Sequence, residues 1–113
     1  RRTAGVELLR LHKEEGVTAA VFNNEQSAMD AMITVRDAGL SIPEDLSFMA
    51  WSGSIYAEGF GVPLTTVDIP VEAMTGQTLE LLAADAPPAR HVHEGELRLR
   101  KSHGTARQES VHP

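Results

Sequence analysis

Gly39-Leu-Ser-Ile-Pro-Glu-Asp-Leu-Ser-Phe-Met-Ala50 contains a helix stop, a turn and the body of a buried strand within twelve residues. A helical pattern runs up to Ala38, and Gly39 follows it at the position where the left-handed conformation closes a helix without a Cβ penalty. Pro43 then prevents the helix from resuming and pushes Ile42 toward an extended conformation. Leu46, Phe48, Met49 and Ala50 form the short apolar run expected of a strand covered on both faces. The segment is therefore an αβ connection.

The same alternation extends in both directions. Upstream, Thr3 to Glu15 reads as a helix with Val6, Leu8, Leu9 and Leu11 in its apolar stripe, and Gly16 ends it. Val17 to Phe22 is a buried strand, Asn23-Asn24-Glu25 caps the next helix, and Ala28, Ala31, Met32 and Val35 form that helix's inner face. Downstream, the second strand runs from Leu46 to Trp51 and a third from Leu64 to Ile69. Pro70 suits the first position of a helix that carries Val71, Met74, Thr78, Leu81 and Leu82 on one face. Ala84 to Arg90 is a linker, His91–His93 and Glu96–Arg100 read as two short strands around Glu94-Gly95, and the chain is expected to fray from Lys101. Helix and strand alternate across short turns, which calls for an α/β fold: an open parallel sheet flanked by helices, with right-handed crossovers.

Composition narrows the function. The chain has 113 residues, a formal charge of −6 and no cysteine. It offers no excess of Lys and Arg to neutralise phosphates, so DNA and anionic membranes are poor partners for this segment. Without cysteine there are no disulfides or thiolate metal sites, which fits a reducing, cytoplasmic setting. No apolar run approaches the roughly 20 residues that span a bilayer. Arg1-Arg2 leads into an amphipathic stretch rather than a signal peptide, and residue 1 reads as the interior of a longer protein. No catalytic constellation, phosphate loop or cofactor motif is present, so an enzyme is not expected.

Three segments in order, Val21-Phe-Asn-Asn-Glu-Gln-Ser-Ala28, Gly39-Leu-Ser-Ile-Pro-Glu-Asp-Leu-Ser47 and Pro63-Leu-Thr-Thr-Val67, resemble the C-terminal part of the LacI/GalR family of bacterial transcription regulators. Leu97-Arg-Leu-Arg100-Lys-Ser102 is similar to the family's closing strand. The resemblance implies a partial two-lobed fold of the periplasmic-binding-protein type over residues 1–103, mostly the C-terminal lobe, followed by a polar tail over 104–113. It also implies that the helix at 71–83 belongs to the other lobe. In function it implies the ligand-sensing and dimerisation part of a regulator. A sugar-like effector would bind between the lobes and control operator affinity through a helix-turn-helix that this chain does not contain. A sugar-binding protein of a transport system shares the fold and is the alternative.

Candidate site residues follow from the rule that ligands sit beyond the carboxyl ends of the strands of an open α/β sheet. Register with the family places Asn24 on an effector-binding Asn; an amide offers a sugar hydroxyl both a donor and an acceptor, and the competing role is a helix cap. Glu25 stands where the family has Asp and is read as favouring the helix start. After the second strand come Trp51, which can stack on a sugar ring or join the core, and Ser52, which replaces a family Asp and brings no charge. Met29, Tyr56 and Phe60 are dimer-interface candidates by resemblance, the aromatics having a local lid as their other role. Thr65 and Thr66 begin the segment that crosses between lobes in the family and are hinge candidates. His91 and His93 share a strand face but lack a third ligand, so no metal is expected. Asp68, Glu72, Glu14 and Glu15 are read as solvated charges.

Overall fold

The computed structural model describes residues 3–51, 54–59 and 61–106. Helix α1 spans Thr3–Glu15, strand β1 Ala19–Phe22, helix α2 Glu25–Asp37, strand β2 Ser47–Trp51, strand β3 Thr65–Asp68, helix α3 Val71–Ala83 and strand β4 Glu96–Arg98. A 3-10 turn at Ile55–Glu58 lies between β2 and β3. The sheet order is β1-β2-β3-β4, with the first three strands parallel and β4 antiparallel to β3.

The connection into β2 forms as its residues dictate. Gly39 has φ +91°, its N–H donates to Arg36 O at 2.9 Å, and Leu40 N–H donates to Val35 O at 3.1 Å. That double bond pattern around a left-handed glycine is a Schellman closure, and Leu40 packs against the core beside Val35, as the motif favours. Asp45 closes the following turn by accepting from Ser41 N–H at 2.8 Å, and the Ile42–Pro43 peptide is cis. Leu46 then enters the core fully buried.

The core lies on one face of the sheet. Phe48 and Ala50 of β2 point toward Ala28, Ala31, Met32 and Val35 of α2, Leu8 of α1 joins the cluster, and the rings of Phe22 and Phe48 stack at 5.5 Å. Gly5 lets α1 approach α2: a Cβ there would stand 2.5 Å from Thr34 Cβ. The opposite face departs from the expectation of a strand covered on both sides. Val21 is 62% exposed and Trp51 47% exposed, because the described residues supply helices to one face only.

Several boundaries are corrected. β1 begins at Ala19 rather than Val17, because Val17 is still occupied by the end of α1: its N–H donates to Leu11 O and its carbonyl contacts His12 Nδ1 at 2.8 Å. Pro70 precedes α3 as its cap residue, with ψ +69°, and is not its first helical residue. His91–His93 is not a strand; both histidines instead contact the Gln77 side chain, at 3.0 and 2.5 Å. β4 is three residues long and pairs with β3 rather than with 91–93. Lys101 does not begin a frayed end. Ser102 is buried between β2 and β3, where its hydroxyl donates to Phe48 O at 2.6 Å and accepts from Thr65 N–H at 2.8 Å.

Candidate ligand site at the carboxyl edge of the sheet

The three parallel strands end at Phe22, Trp51 and Asp68. Phe22 pairs with Ala50 and Trp51 with Val67, so the carboxyl ends of β1, β2 and β3 lie along one sheet edge. Asn24 stands at this edge as the cap of α2. Its Oδ1 accepts from Ser27 N–H at 2.8 Å and its Nδ2 donates to Asn23 Oδ1 at 3.2 Å. The capping role is thus realised, and one amide hydrogen and one lone pair remain for other partners.

Trp51 does not join the core. It ends β2 on the open face of the sheet, beside Gly95, where an added Cβ would lie 3.9 Å from its Cζ3 and 2.7 Å from Val67 Cγ1. Ser52 and Phe60 lie outside the described residues. Asp68, expected to be a solvated charge, instead organises the end of β3: Thr66 Oγ1 donates to its Oδ1 at 2.8 Å and Arg98 Nε to its Oδ2 at 2.5 Å.

Thr65 and Thr66 are buried inside the sheet. Thr65 Oγ1 accepts from Arg100 N–H at 3.0 Å and meets His103 Nδ1 at 2.6 Å. Thr66 Oγ1 accepts from Arg100 Nη1 at 2.7 Å, and the same nitrogen donates to Leu64 O at 2.8 Å. The chain leaves the sheet only after Asp68, at Ile69-Pro70.

A second surface lies alongside. Met29 is half-buried on α2 and lines, with Met32, Ile33, Arg36, Gly59 and Gly61, a groove of about 270 Å³. Tyr56 is 68% exposed on the neighbouring 3-10 turn. Sequence reasoning missed what holds that turn. Glu25 accepts from Ser54 N–H at 3.1 Å and from Ser54 Oγ, and Ser54 Oγ in turn accepts from Tyr56 N–H at 3.2 Å. The available signal was Ser54 itself, a cap residue ahead of Ile55-Tyr56. Among the described residues no three His, Asp or Glu side chains are grouped to hold a metal, and no helix is long and apolar enough to cross a membrane.

An open parallel sheet with polar residues along its carboxyl edge is the arrangement of a ligand-binding lobe, and the chain belongs to the periplasmic-binding-protein-like domain family, whose sequence pattern it matches over residues 2–103. More narrowly, the proteins it is similar to are transcriptional repressors and LacI-type regulators. The chain is 36% identical over 76 residues to the arabinose metabolism transcriptional repressor of Geobacillus stearothermophilus, a match covering 67% of this chain and 21% of the repressor. It is similar in fold to a PurR-family transcriptional regulator from Vibrio parahaemolyticus, with a TM-score of 0.73 and 23% identity over 89% of this chain and 38% of that one. A LacI regulator from Lactobacillus casei with bound Tris superposes with a TM-score of 0.63 and 26% identity, over 74% of this chain and 31% of the regulator. That regulator has also been solved with sucrose and with glucose. The chain thus spans about a fifth of the length of the curated repressor it matches. These relatives are named as transcriptional regulators, in agreement with the family resemblance of the sequence.

Proposed function

We propose that this chain forms the ligand-sensing and dimerisation part of a LacI/GalR-type regulator that binds a sugar or related polyol in an interlobe cleft. The observation that carries the reading is Asn24, at the carboxyl edge of the sheet with part of its amide uncommitted. Trp51 supplies an apolar ring face at the same edge, and Ser52 is a neutral hydrogen-bonding partner in place of an Asp. In this reading the unit extends over residues 1–103, α3 docks on the second lobe, and 104–113 is a tail. Thr65 and Thr66 form the fixed side of the interlobe hinge, and movement occurs beyond them at Ile69-Pro70. Met29, Tyr56 and Phe60 meet a second copy. Effector binding then favours one lobe arrangement and alters operator affinity through a DNA-binding head elsewhere in the protein, in the cytoplasm.

Titration calorimetry of the full-length protein against arabinose, glucose and sucrose tests the reading, with Asn24→Ser as the diagnostic variant. Serine keeps an N-cap oxygen but removes the amide. Binding of one of these sugars, weakened at least about tenfold in Asn24→Ser with an unchanged melting temperature, is the expected result. A sugar that binds both proteins equally removes Asn24 from the site, and failure of all three sugars removes the sugar-class effector.

A further inference from the structure

We infer that Glu25 is a positioning residue that fixes the 3-10 turn, and with it Ile55 and Tyr56, relative to the start of α2. Three observations converge on it. Glu25 is half-buried at the first position of α2, directly after the cap Asn24. Its carboxylate takes both polar hydrogens of Ser54, 29 residues away in sequence. Ser54 spends its oxygen on Tyr56 N–H, and its carbonyl accepts from Ala57 N–H at 3.1 Å. A continuous line of hydrogen bonds therefore runs from the first turn of α2 to the turn that presents Ile55, 83% exposed, and Tyr56.

The chemistry calls for a carboxylate at this place. Two donors from one residue, an N–H and an O–H, converge on it, and an ionised carboxylate is the side chain that accepts both without offering a hydrogen of its own. A Gln there keeps one acceptor, and its amide hydrogens compete with Tyr56 N–H for Ser54 Oγ. The α2 helix also holds the far side of the same loop, since Arg36 lies where a side chain at Gly61 would have to go. Buried Ala57 pins the middle of the turn, and Leu64 N–H donates to its carbonyl at 2.9 Å. One rigid helix thus sets both the polar edge at Asn24 and the exposed apolar residues of the turn. The inference deepens the proposed function by naming what ties the ligand edge to the partner surface, and its test contains neither ligand nor partner, so each reading can fail separately.

Hydrogen–deuterium exchange on the whole chain, with the single Trp and single Tyr as optical reporters, tests it. Glu25→Ala is expected to speed exchange at the Ser54 and Tyr56 amides at least about tenfold, leave amides in the middle of α2 unchanged, and alter Tyr56 or Trp51 emission. Glu25→Gln restores part of the protection. Ser54→Ala repeats the effect at Tyr56, and the double variant Glu25→Ala/Ser54→Ala is no worse than the more severe single variant, as expected for one shared interaction. Exchange at both amides within about twofold of the parent in Glu25→Ala, or strictly additive effects in the double variant, overturns the proposal. If Glu25→Ala does not fold, the comparison of Glu25→Gln with Ser54→Ala decides by the same criteria.

Discussion

Ser102 replaces a stretch of strand pairing with one hydroxyl. The β2–β3 ladder begins at Met49–Thr65, and immediately before it Phe48 O and Thr65 N–H face a gap that Ser102 Oγ bridges, while Ser102 O accepts from Phe48 N–H at 2.7 Å. Ser102→Ala leaves a buried carbonyl and a buried N–H unpaired and is expected to destabilise the chain by about 3 kcal/mol. Urea unfolding checks it: the midpoint falls with little change in slope, and an unshifted midpoint means that water or backbone movement replaces the hydroxyl. Asn24→Ala should cost about 1 kcal/mol through loss of the cap, whereas Asn24→Ser, which keeps a capping oxygen, should leave stability unchanged. Glu7 is a surface counterpart. Its hydrogen bond to Arg10 holds its carboxyl below the ordinary range. Because the folded pKa is depressed, the small stabilisation is present above the unfolded value and disappears as pH falls through the folded one. A carboxyl chemical-shift titration of Glu7 should show the lowered midpoint, which Arg10→Ala should return to the ordinary range.

Helices and their stops were legible in the sequence because they are written locally. Glycine at the left-handed position ended both α1 and α2, with φ +71° at Gly16 and +91° at Gly39, and the apolar spacing of Ala28, Ala31, Met32 and Val35 placed the inner face of α2 correctly. What was not legible depends on partners distant in sequence. Nothing near Glu25 announces Ser54, and nothing near Ser102 announces Phe48. His91-Val-His93 alternates like a strand, yet Gln77 engages both histidines. Asn24 could be read either way at the candidate site, since a cap and a ligand contact require the same side chain; the cap is formed, with Oδ1 accepting from Ser27 N–H. Gly5 was also silent, being a helical glycine whose need appears only where α1 crosses α2. Gly5→Ala drives a methyl into Thr34, forces the helices apart and should cost about 1–3 kcal/mol. Thermal melting reads this directly, and a neutral or stabilising result would mean that the crossing relaxes without loss of packing.

At the scale of the whole molecule, α3 decides the shape. No residue of α3 is buried, and Val71, Met74, Leu79 and Leu82 are all exposed large hydrophobics along a stripe that continues from Ile69. The radius of gyration is 18.1 Å, against about 13 Å for a compact chain of this size. An apolar patch on the order of a few hundred Å² attracts a partner, and in the isolated 113-residue chain the partner at hand is a second copy. Such a pairing is weak on physical grounds. Apolar burial contributes about 25 cal/mol per Å², while association costs about 4–15 kcal/mol in lost freedom before any side chain is ordered. Glu72 and Glu80 add like-charge repulsion that no basic residue in the last turn offsets. The expected outcome is concentration-dependent association of the isolated chain with a Kd in the range of about 0.1–1 mM, read by sedimentation or light scattering. Leu79→Glu/Leu82→Glu should abolish it while leaving the melting temperature unchanged, because neither side chain contributes to the buried core. A parent chain that stays monomeric throughout this range would show that the stripe does not pair copies, whereas association that persists in the double variant would place the contact elsewhere, with the groove lined by Met29, Ile33, Gly59 and Gly61 as the next surface to probe.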